Sequence, residues 1–167
     1  TASITTALNI VRAAQPETVM KKGNRRMEVQ IDNRQVKHRI SKKKIQKTAK
    51  AILSALGYPD AELSILIVDD QQITHLNQQY LNREGPTNVI AFAMQEGPFA
   101  EIAPDLLGDV VISVETAHRQ AKNAGLSMLD YFDQLLIHGI LHLLGYNHEK
   151  DRSEADKMEQ KAKELLK

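Results

Sequence analysis

Apolar and polar residues alternate over residues 27–33 (MEVQIDN), as they do in a β-strand with one buried face. Three later segments are short and rich in apolar residues, and we interpret them as strands too. These segments are residues 62–68 (ELSILIV), 88–94 (NVIAFAM) and 109–114 (DVVISV). The pattern therefore predicts four β-strands.

Between these segments apolar residues recur every three or four positions, which predicts amphipathic helices. The first helix is expected to begin after Ser41, whose hydroxyl can cap it, and to end at Gly57. Asp70 is expected to cap a second, short helix. Ser127 is expected to start a longer helix that ends at Gly145. Two more helices are predicted, near residues 115–123 and 152–166.

Four strands and about five helices, without strict βα alternation, predict an α+β fold in which a four-stranded mixed sheet packs against the helices. A length of 167 residues suits a single domain with one hydrophobic core. We assign this domain to residues 27–167, because Pro16 and Gly23 interrupt any regular pattern before Met27. Residues 1–26 are expected to form a flexible extension.

The chain contains no cysteine, which excludes disulfides, thiolate zinc fingers, iron–sulfur clusters and a cysteine nucleophile. Any bound metal must therefore be held by histidine nitrogens and carboxylate oxygens. The sequence has no run of about 18 apolar residues, so no membrane-spanning helix is expected. Aromatic residues make up 4% of the chain, too few for a broad base-stacking surface.

Positive charge is concentrated near the start of the predicted domain, although the net charge is only +1. Residues 21–50 carry twelve of the 22 Lys and Arg and only two acidic residues, whereas residues 51–167 are acidic overall. An anionic partner such as RNA and a merely solvated helix face explain this concentration equally well. If RNA binds there, the candidate contacts are Lys43, Lys44 and Lys47, on the polar side of the helix that Ser41 begins.

The candidate chemistry lies in the segment HGILHLLGYNH, which begins at His138. Residues four apart share one helix face, so His138 and His142 can bind the same ion. A helix that ends at Gly145 allows the chain to turn and bring His148 to that ion, because glycine adopts a left-handed conformation without penalty. Three imidazoles leave one tetrahedral position open, as in catalytic zinc sites, although other transition metals also bind imidazole. We therefore expect one Zn²⁺ per chain.

The other three histidines are expected to be hydrogen-bonded core residues. They are His38, His75 and His118.

The spacing of the three clustered histidines equals that of the metzincin metalloproteases, H-E-x-x-H-x-x-G-x-x-H. In those enzymes the glutamate is the general base for peptide hydrolysis. Gly139 occupies its position here. Proteolysis is therefore not expected, and reactions in which a Lewis acid contributes more, such as phosphodiester hydrolysis, are favoured.

The histidine segment resembles the signature H-G-x-L-H-L-x-G-Y-D-H of the YbeY family, bacterial metal-dependent endoribonucleases. Residues 76–92 (LNQQYLNREGPTNVIAF) resemble that family's LN-x-x-Y-R…P-T-[DN]-V-L-S-F block. Residues 106–113 (LLGDVVIS) resemble its Gly-Asp-[IV] strand. The three segments lie in the family's order, and the similarity spans about residues 27–167.

The resemblance implies a cytoplasmic, single-strand-specific endoribonuclease that matures the 3′ end of 16S ribosomal RNA and takes part in ribosome quality control. It implies zinc ligands at His138, His142 and His148. The implied partners are ribosomal RNA and the ribosome or its small subunit, and no membrane is involved. The sequence identifies no general base.

Three positions depart from the family pattern. Leu81 stands where the family has arginine, and we take Arg83, two positions on, as the candidate substitute for phosphate contact. Asn147 stands where the family has aspartate and cannot act as a base. The family's S-F-P is replaced by residues 91–93 (AFA).

Two alternatives remain open from the sequence. One is a metallohydrolase that acts on a peptide or small molecule through the same three histidines, against which Gly139 argues. The other is a non-catalytic ribosome-assembly factor with a structural metal, which the loss of arginine at Leu81 favours.

Overall fold

The computed structural model describes residues 26–94, 100–101, 103–146 and 152–167. These residues form four strands and five helices. In chain order they are β1 (Glu28–Asn33), α1 (Lys42–Ala55), β2 (Glu62–Val68), α2 (Asp70–Leu81), β3 (Val89–Ala93), β4 (Leu106–Ser113), α3 (Val114–Ala124), α4 (Met128–Leu143) and α5 (Arg152–Leu165). The predicted α+β fold is confirmed. Residues 1–25 lie outside the described part of the chain, so the expectation of a flexible extension stays a prediction.

The four strands form one mixed sheet in the order β1-β2-β4-β3. β1, β2 and β4 are parallel, and β3 pairs with β4 in the antiparallel direction. Since α1 connects the parallel neighbours β1 and β2, these three elements form a βαβ unit. The antiparallel β3 lies at one edge of the sheet, where α4 packs against β3 and β4.

The two faces of the sheet are covered unequally. Ile65 and Ile67 of β2 face the main core, which also contains buried residues of α1, α4 and α5. The alternate residues of β2, Leu66 and Val68, lie on the opposite face and pack with Ile73 of α2. We call the first side the α4 face and the second the α2 face.

β4 begins three residues earlier than the sequence pattern predicts, at Leu106 instead of Asp109. An irregularity in its pairing with β2 interrupts the alternation, between the pairs Glu62–Leu106 and Leu63–Gly108. Gly108 has a φ of 135°, and a Cβ atom there would lie 2.0 Å from the carbonyl oxygen of Phe92. The glycine of the Gly-Asp marker is therefore required by the close approach of β3.

Serine caps begin the two helices for which they were predicted. The Ser41 hydroxyl accepts a hydrogen bond from Lys44 N–H at 3.3 Å, and the Ser127 hydroxyl accepts one from Asp130 N–H at 3.1 Å. In the described part of the chain, no helix combines the length and the apolar composition needed to cross a membrane.

The predicted cap of α2 is wrong by one residue. Asp69 is the cap, and its carboxylate accepts from Gln72 N–H at 2.8 Å in a capping box. Asp70 instead accepts hydrogen bonds at 2.6 Å from each of Ser113, Thr116 and Arg119, and so joins α2 to α3. Burial raises the pKa of Asp70, but the three hydrogen bonds and the Arg119 charge outweigh burial and lower its pKa overall.

Candidate metal centre

The side chains of His138 and His142 meet on one face of α4. Their Nε2 atoms are 3.0 Å apart, their ring centroids 4.6 Å apart, and the ring planes cross at 71°. Two nitrogens that bind one tetrahedral zinc at about 2.05 Å lie roughly 3.3 Å apart. The pair therefore fits a shared metal ion in both donor chemistry and separation.

The end of α4 reverses the chain as the spacing predicts. Gly145 has a φ of 92°, in the left-handed region that favours glycine. The N–H of Gly145 donates to the carbonyl of His142, and the N–H of Tyr146 donates to that of Leu141, both at 3.1 Å. These two hydrogen bonds form a Schellman motif. The carbonyl of His142, the second predicted ligand, thus also takes part in the helix end.

The third predicted ligand, His148, lies in residues 147–151, outside the described part of the chain. Within the described ranges, no three His, Cys, Asp or Glu side chains lie close enough together to hold a metal ion. The complete ligand set of His138, His142 and His148 therefore stays a prediction, supported by the first two ligands and by the reversal at Gly145.

Gly139, between the two imidazoles in sequence, faces the sheet. A Cβ atom there would lie 2.6 Å from Val110 Cγ1, 3.2 Å from Val110 Cγ2 and 3.3 Å from Val89 Cγ2. Real Cβ atoms essentially never approach another heavy atom within 3.0 Å. A glutamate at this position would therefore start from a clash with Val110, which is itself fully buried.

The expectation that the other histidines are core residues is wrong for two of them. His75 is exposed on α2 and His118 is exposed on α3. His38 is half-buried, and its ring centroid lies 4.8 Å from that of His118. His75 lies two positions after the buried Ile73 on α2, so helical periodicity places it on the opposite face of that helix.

The segment that resembles the family's LN-x-x-Y block is held by two asparagines. Asn77 is buried, and its side-chain amide donates to the carbonyl of Gly85 at 3.0 Å. Asn88 donates to Gln120 Oε1 at 2.9 Å, and the Tyr131 hydroxyl of α4 donates to the same oxygen at 2.9 Å. These asparagines therefore fix the loop between α2 and β3, a structural role that the sequence pattern alone does not indicate.

The tyrosine of this block, Tyr80, packs edge-to-face on Phe92 with ring centroids 5.6 Å apart. The next residue, Leu81, is 41% exposed, so the family's arginine position is at the surface here. Arg83 is also exposed, and its backbone N–H donates to the carbonyl of Asn77 at 3.3 Å. Arg83 lies in the loop that follows α2. Its contact with a phosphate group stays a prediction.

The three candidate lysines, Lys43, Lys44 and Lys47, are exposed on α1. Lys44 and Lys47 line a cleft of about 740 Å³ between α1, α4 and the end of α5. Ile137 of α4 also lines this cleft and directly precedes His138. At 3.6 residues per turn, however, the three α4 residues that line the cleft, Leu129, Asp133 and Ile137, lie on nearly the opposite side of the helix from His138 and His142.

The acidic residue Asp133 lines the same cleft. Its Oδ1 atom is buried and has no hydrogen-bond partner among the described residues. Burial, followed by the nearby charge of Asp130, raises the pKa of Asp133. The sequence pattern gave no reason to single out this residue.

A second groove, of about 510 Å³, lies on the α2 face. Apolar residues of β2, β3 and β4 form its floor, and its polar lining includes Arg34, His75 and Asp109. Because α4 lies on the other face of the sheet, this groove is separate from the imidazole pair.

Comparison with known proteins gives one consistent family. A family model described as Endoribonuclease YbeY matches residues 30–167. A protein of that name from Geobacter sulfurreducens is 49% identical over 141 residues, which cover 84% of this chain and 94% of the relative. Its namesake from Aquifex aeolicus is 46% identical over 123 residues, which cover 72% and 79% respectively.

The fold also matches a solved structure, the solution structure of a protein from Thermotoga maritima. The TM-score is 0.60 at 24% identity, and the match covers 83% of this chain and 86% of that one. This likeness supports the fold alone.

Proposed function

The chain belongs to the YbeY endoribonuclease family, and from this premise we propose that it is a zinc-dependent endoribonuclease that cuts single-stranded ribosomal RNA. The family supports hydrolysis of RNA phosphodiester bonds. Dependence on zinc rests on one observation, the meeting of two imidazole Nε2 atoms at 3.0 Å on α4.

In this proposal His138, His142 and His148 hold the metal. Zinc bound there supplies Lewis-acid polarisation of a phosphodiester group. The chain itself keeps the first two ligands in register, because both project from one rigid helix that packs against β3 and β4. The left-handed Gly145 ends α4 in a reversal of the backbone, which supports the proposal that His148 completes the set.

We propose that the basic surface of α1 binds the RNA backbone. Lys44 and Lys47 lie three residues apart and open onto a cleft that α4 also lines, on the side of this helix away from the imidazole pair. A strand whose phosphates are held there must pass around α4 to reach His138. Arg83 is a further candidate contact, in place of the arginine that Leu81 replaces.

The substrate and setting of the proposal follow from the family resemblance. We propose that the natural substrate is the 3′ end of 16S ribosomal RNA, that the protein meets it on the ribosome or small subunit in the cytoplasm, and that the same activity serves ribosome quality control. The exposed lysines of α1 and the scarcity of aromatic residues support binding through phosphates more than through stacked bases.

The test is cleavage of a single-stranded fragment that contains the 3′ end of 16S ribosomal RNA. Zinc-loaded protein should cut this fragment and leave its double-stranded counterpart intact, and His138→Ala should reduce cleavage at least a hundredfold. The control His75→Ala removes an exposed histidine on the α2 face and should cut normally. Equal cleavage by His138→Ala and the original protein would refute the proposed catalytic site.

The exposed Leu81 favours a second candidate, a ribosome-assembly factor in which the metal only stabilises the fold. Such a protein would bind zinc and the small subunit, yet leave the RNA fragment uncut. Leu81→Arg would restore the family's residue. Cleavage that appears only in this variant would favour the assembly factor.

A further inference from the structure

Helix α4 lies unusually close to the sheet at one residue, Gly139. The contact is with Val110, fully buried in the middle of β4, and more loosely with Val89 of β3. Val110 pairs with Ile65 on one side and Ala91 on the other, so the strand beneath Gly139 is held by neighbours on both edges. The strand therefore has little freedom to move away from a larger residue on α4.

Glycine is a poor helix former, and its presence inside a helix calls for a packing reason. The 2.6 Å separation between a Cβ at residue 139 and Val110 Cγ1 supplies this reason. Any side chain at that position must lift α4, tilt it or displace Val110. Because Gly139 directly follows His138 and precedes His142 by three residues, a lifted helix carries both imidazoles away from β3 and β4.

We propose that Gly139 is a positioning residue for the metal centre, which it serves by allowing α4 to approach Val110. This inference rests on the proposed metal-dependent function. It also explains the contrast with the metzincin pattern, since a glutamate here would point at the sheet. The contact with Val110 therefore excludes a glutamate side chain at the position of the peptidase base. The same contact sets the position of His138 and His142 relative to the sheet.

The contact between residue 139 and Val110 can be tested by adding a methyl group at residue 139 and by removing methyl groups from the valines that it would meet. Gly139→Ala adds the Cβ, and Val110→Ala removes both γ-methyls that it would meet at 2.6 and 3.2 Å. Val89→Ala removes only the contact at 3.3 Å. Each variant is made alone, and each valine variant is also combined with Gly139→Ala.

The readouts are zinc affinity, from competition with a chromophoric chelator, and the visible absorption spectrum of the Co²⁺-loaded protein. We expect Gly139→Ala to fold, to bind zinc at least tenfold more weakly and to show an altered Co²⁺ spectrum. The double variant with Val110→Ala should bind zinc with an affinity within about threefold of that of the original protein. The double variant with Val89→Ala should recover less of the lost zinc affinity. The two valine variants alone should bind zinc normally.

Undiminished zinc affinity in Gly139→Ala would overturn the proposal, as would failure of Val110→Ala to restore the lost affinity. If Gly139→Ala alone does not fold, recovery of both folding and affinity in the double variant supports the proposal, and failure of both overturns it. Should the original protein bind no metal, the proposed function fails instead. In that case the free energy of unfolding is measured without metal for the original protein, Gly139→Ala, Val110→Ala and the double variant. A difference between the effect of the double variant and the sum of the two single effects then still tests the contact between the two positions.

Discussion

The backbone N–H of Tyr146 donates to the carbonyl oxygen of Leu141 at 3.1 Å, and this hydrogen bond closes the reversal at the end of α4. The reversal depends on Gly145, which lies between them in the left-handed region. It also separates the two ligands on the helix from His148, the third predicted ligand. We therefore expect the geometry of the helix end to affect the assembly of the proposed metal site.

Gly145→Ala should weaken both folding and metal binding. A residue with a Cβ atom in the left-handed conformation costs about 1–2 kcal/mol, so the free energy of unfolding should fall by about that amount. Zinc affinity should fall further than the stability loss alone explains, because the turn toward His148 is displaced. Chemical unfolding with and without zinc measures both quantities. A loss of stability with unchanged zinc affinity would show that the turn at Gly145 does not contribute to zinc binding.

The sequence predicted much of this site because its signals are local. Helical spacing placed His138 and His142 on one face, and the special backbone freedom of glycine predicted the end of α4 at Gly145. By contrast, the reason for Gly139 lies in Val110, about 30 residues away in sequence and on another element. No periodic pattern reports a contact of that kind, so its steric role emerges only from the fold.

The same division applies to the fold. Strand and helix positions followed from apolar periodicity, and serine caps followed from short-range hydrogen bonding. The cap of α2 was misassigned because Asp69 and Asp70 are adjacent and chemically alike. Only the contacts of Asp70 with Ser113 and Thr116, on a distant segment, distinguish the two. Likewise, the irregular pairing of β4 near Gly108 hides the start of this strand from an alternation pattern.

Charge reversal on α1 tests whether its lysines bind RNA. Lys43, Lys44 and Lys47 replaced together by Glu should weaken RNA binding at least tenfold at low salt. The slope of log affinity against log salt should become shallower by about 2, since each lost phosphate contact on a single strand contributes about 0.7. The variant should remain folded, because all three side chains are exposed.

A matched control changes the same amount of charge elsewhere. Lys122, Lys157 and Lys163 are exposed on α3 and α5, and their replacement by Glu should alter affinity and salt slope much less. Equal effects of the two triple variants would mean that net charge, not the α1 surface, governs RNA binding. An unchanged affinity in the α1 variant would leave that surface as a solvated helix face.

Asp133→Asn should stabilise the protein at neutral pH. Burial and then Asp130 raise the pKa of Asp133 in the folded protein, so its ionised form disfavours folding at pH 7. At a pH well below the ordinary aspartate value of about 3.9, the carboxyl is protonated in both states and this cost disappears. The variant should therefore unfold at a higher temperature than the original protein at pH 7, with little difference near pH 3.

Asp156→Asn, at an exposed position of α5, is the control for the loss of one carboxylate. A stabilisation by Asp133→Asn that is equal at both pH values would show that the amide simply packs better. A destabilisation at pH 7 would show that the ionised carboxylate has a favourable partner in solution.

The zinc-loaded protein should hydrolyse no member of a broad peptide library at a measurable rate, because the position of the peptidase base is held by Gly139 and faces Val110. Gly139→Glu should not introduce peptidase activity, since its side chain cannot enter the site without displacing α4. Zinc-dependent peptide cleavage that disappears in His138→Ala would contradict this account and favour a peptide hydrolase.

The central claim is that His138, His142 and His148 hold one metal ion. The most direct measurement is the metal content of purified protein after zinc loading and removal of free metal. The original protein and His75→Ala should each retain close to one equivalent, and His142→Ala should retain almost none. Full retention by His142→Ala would contradict the proposed ligand set.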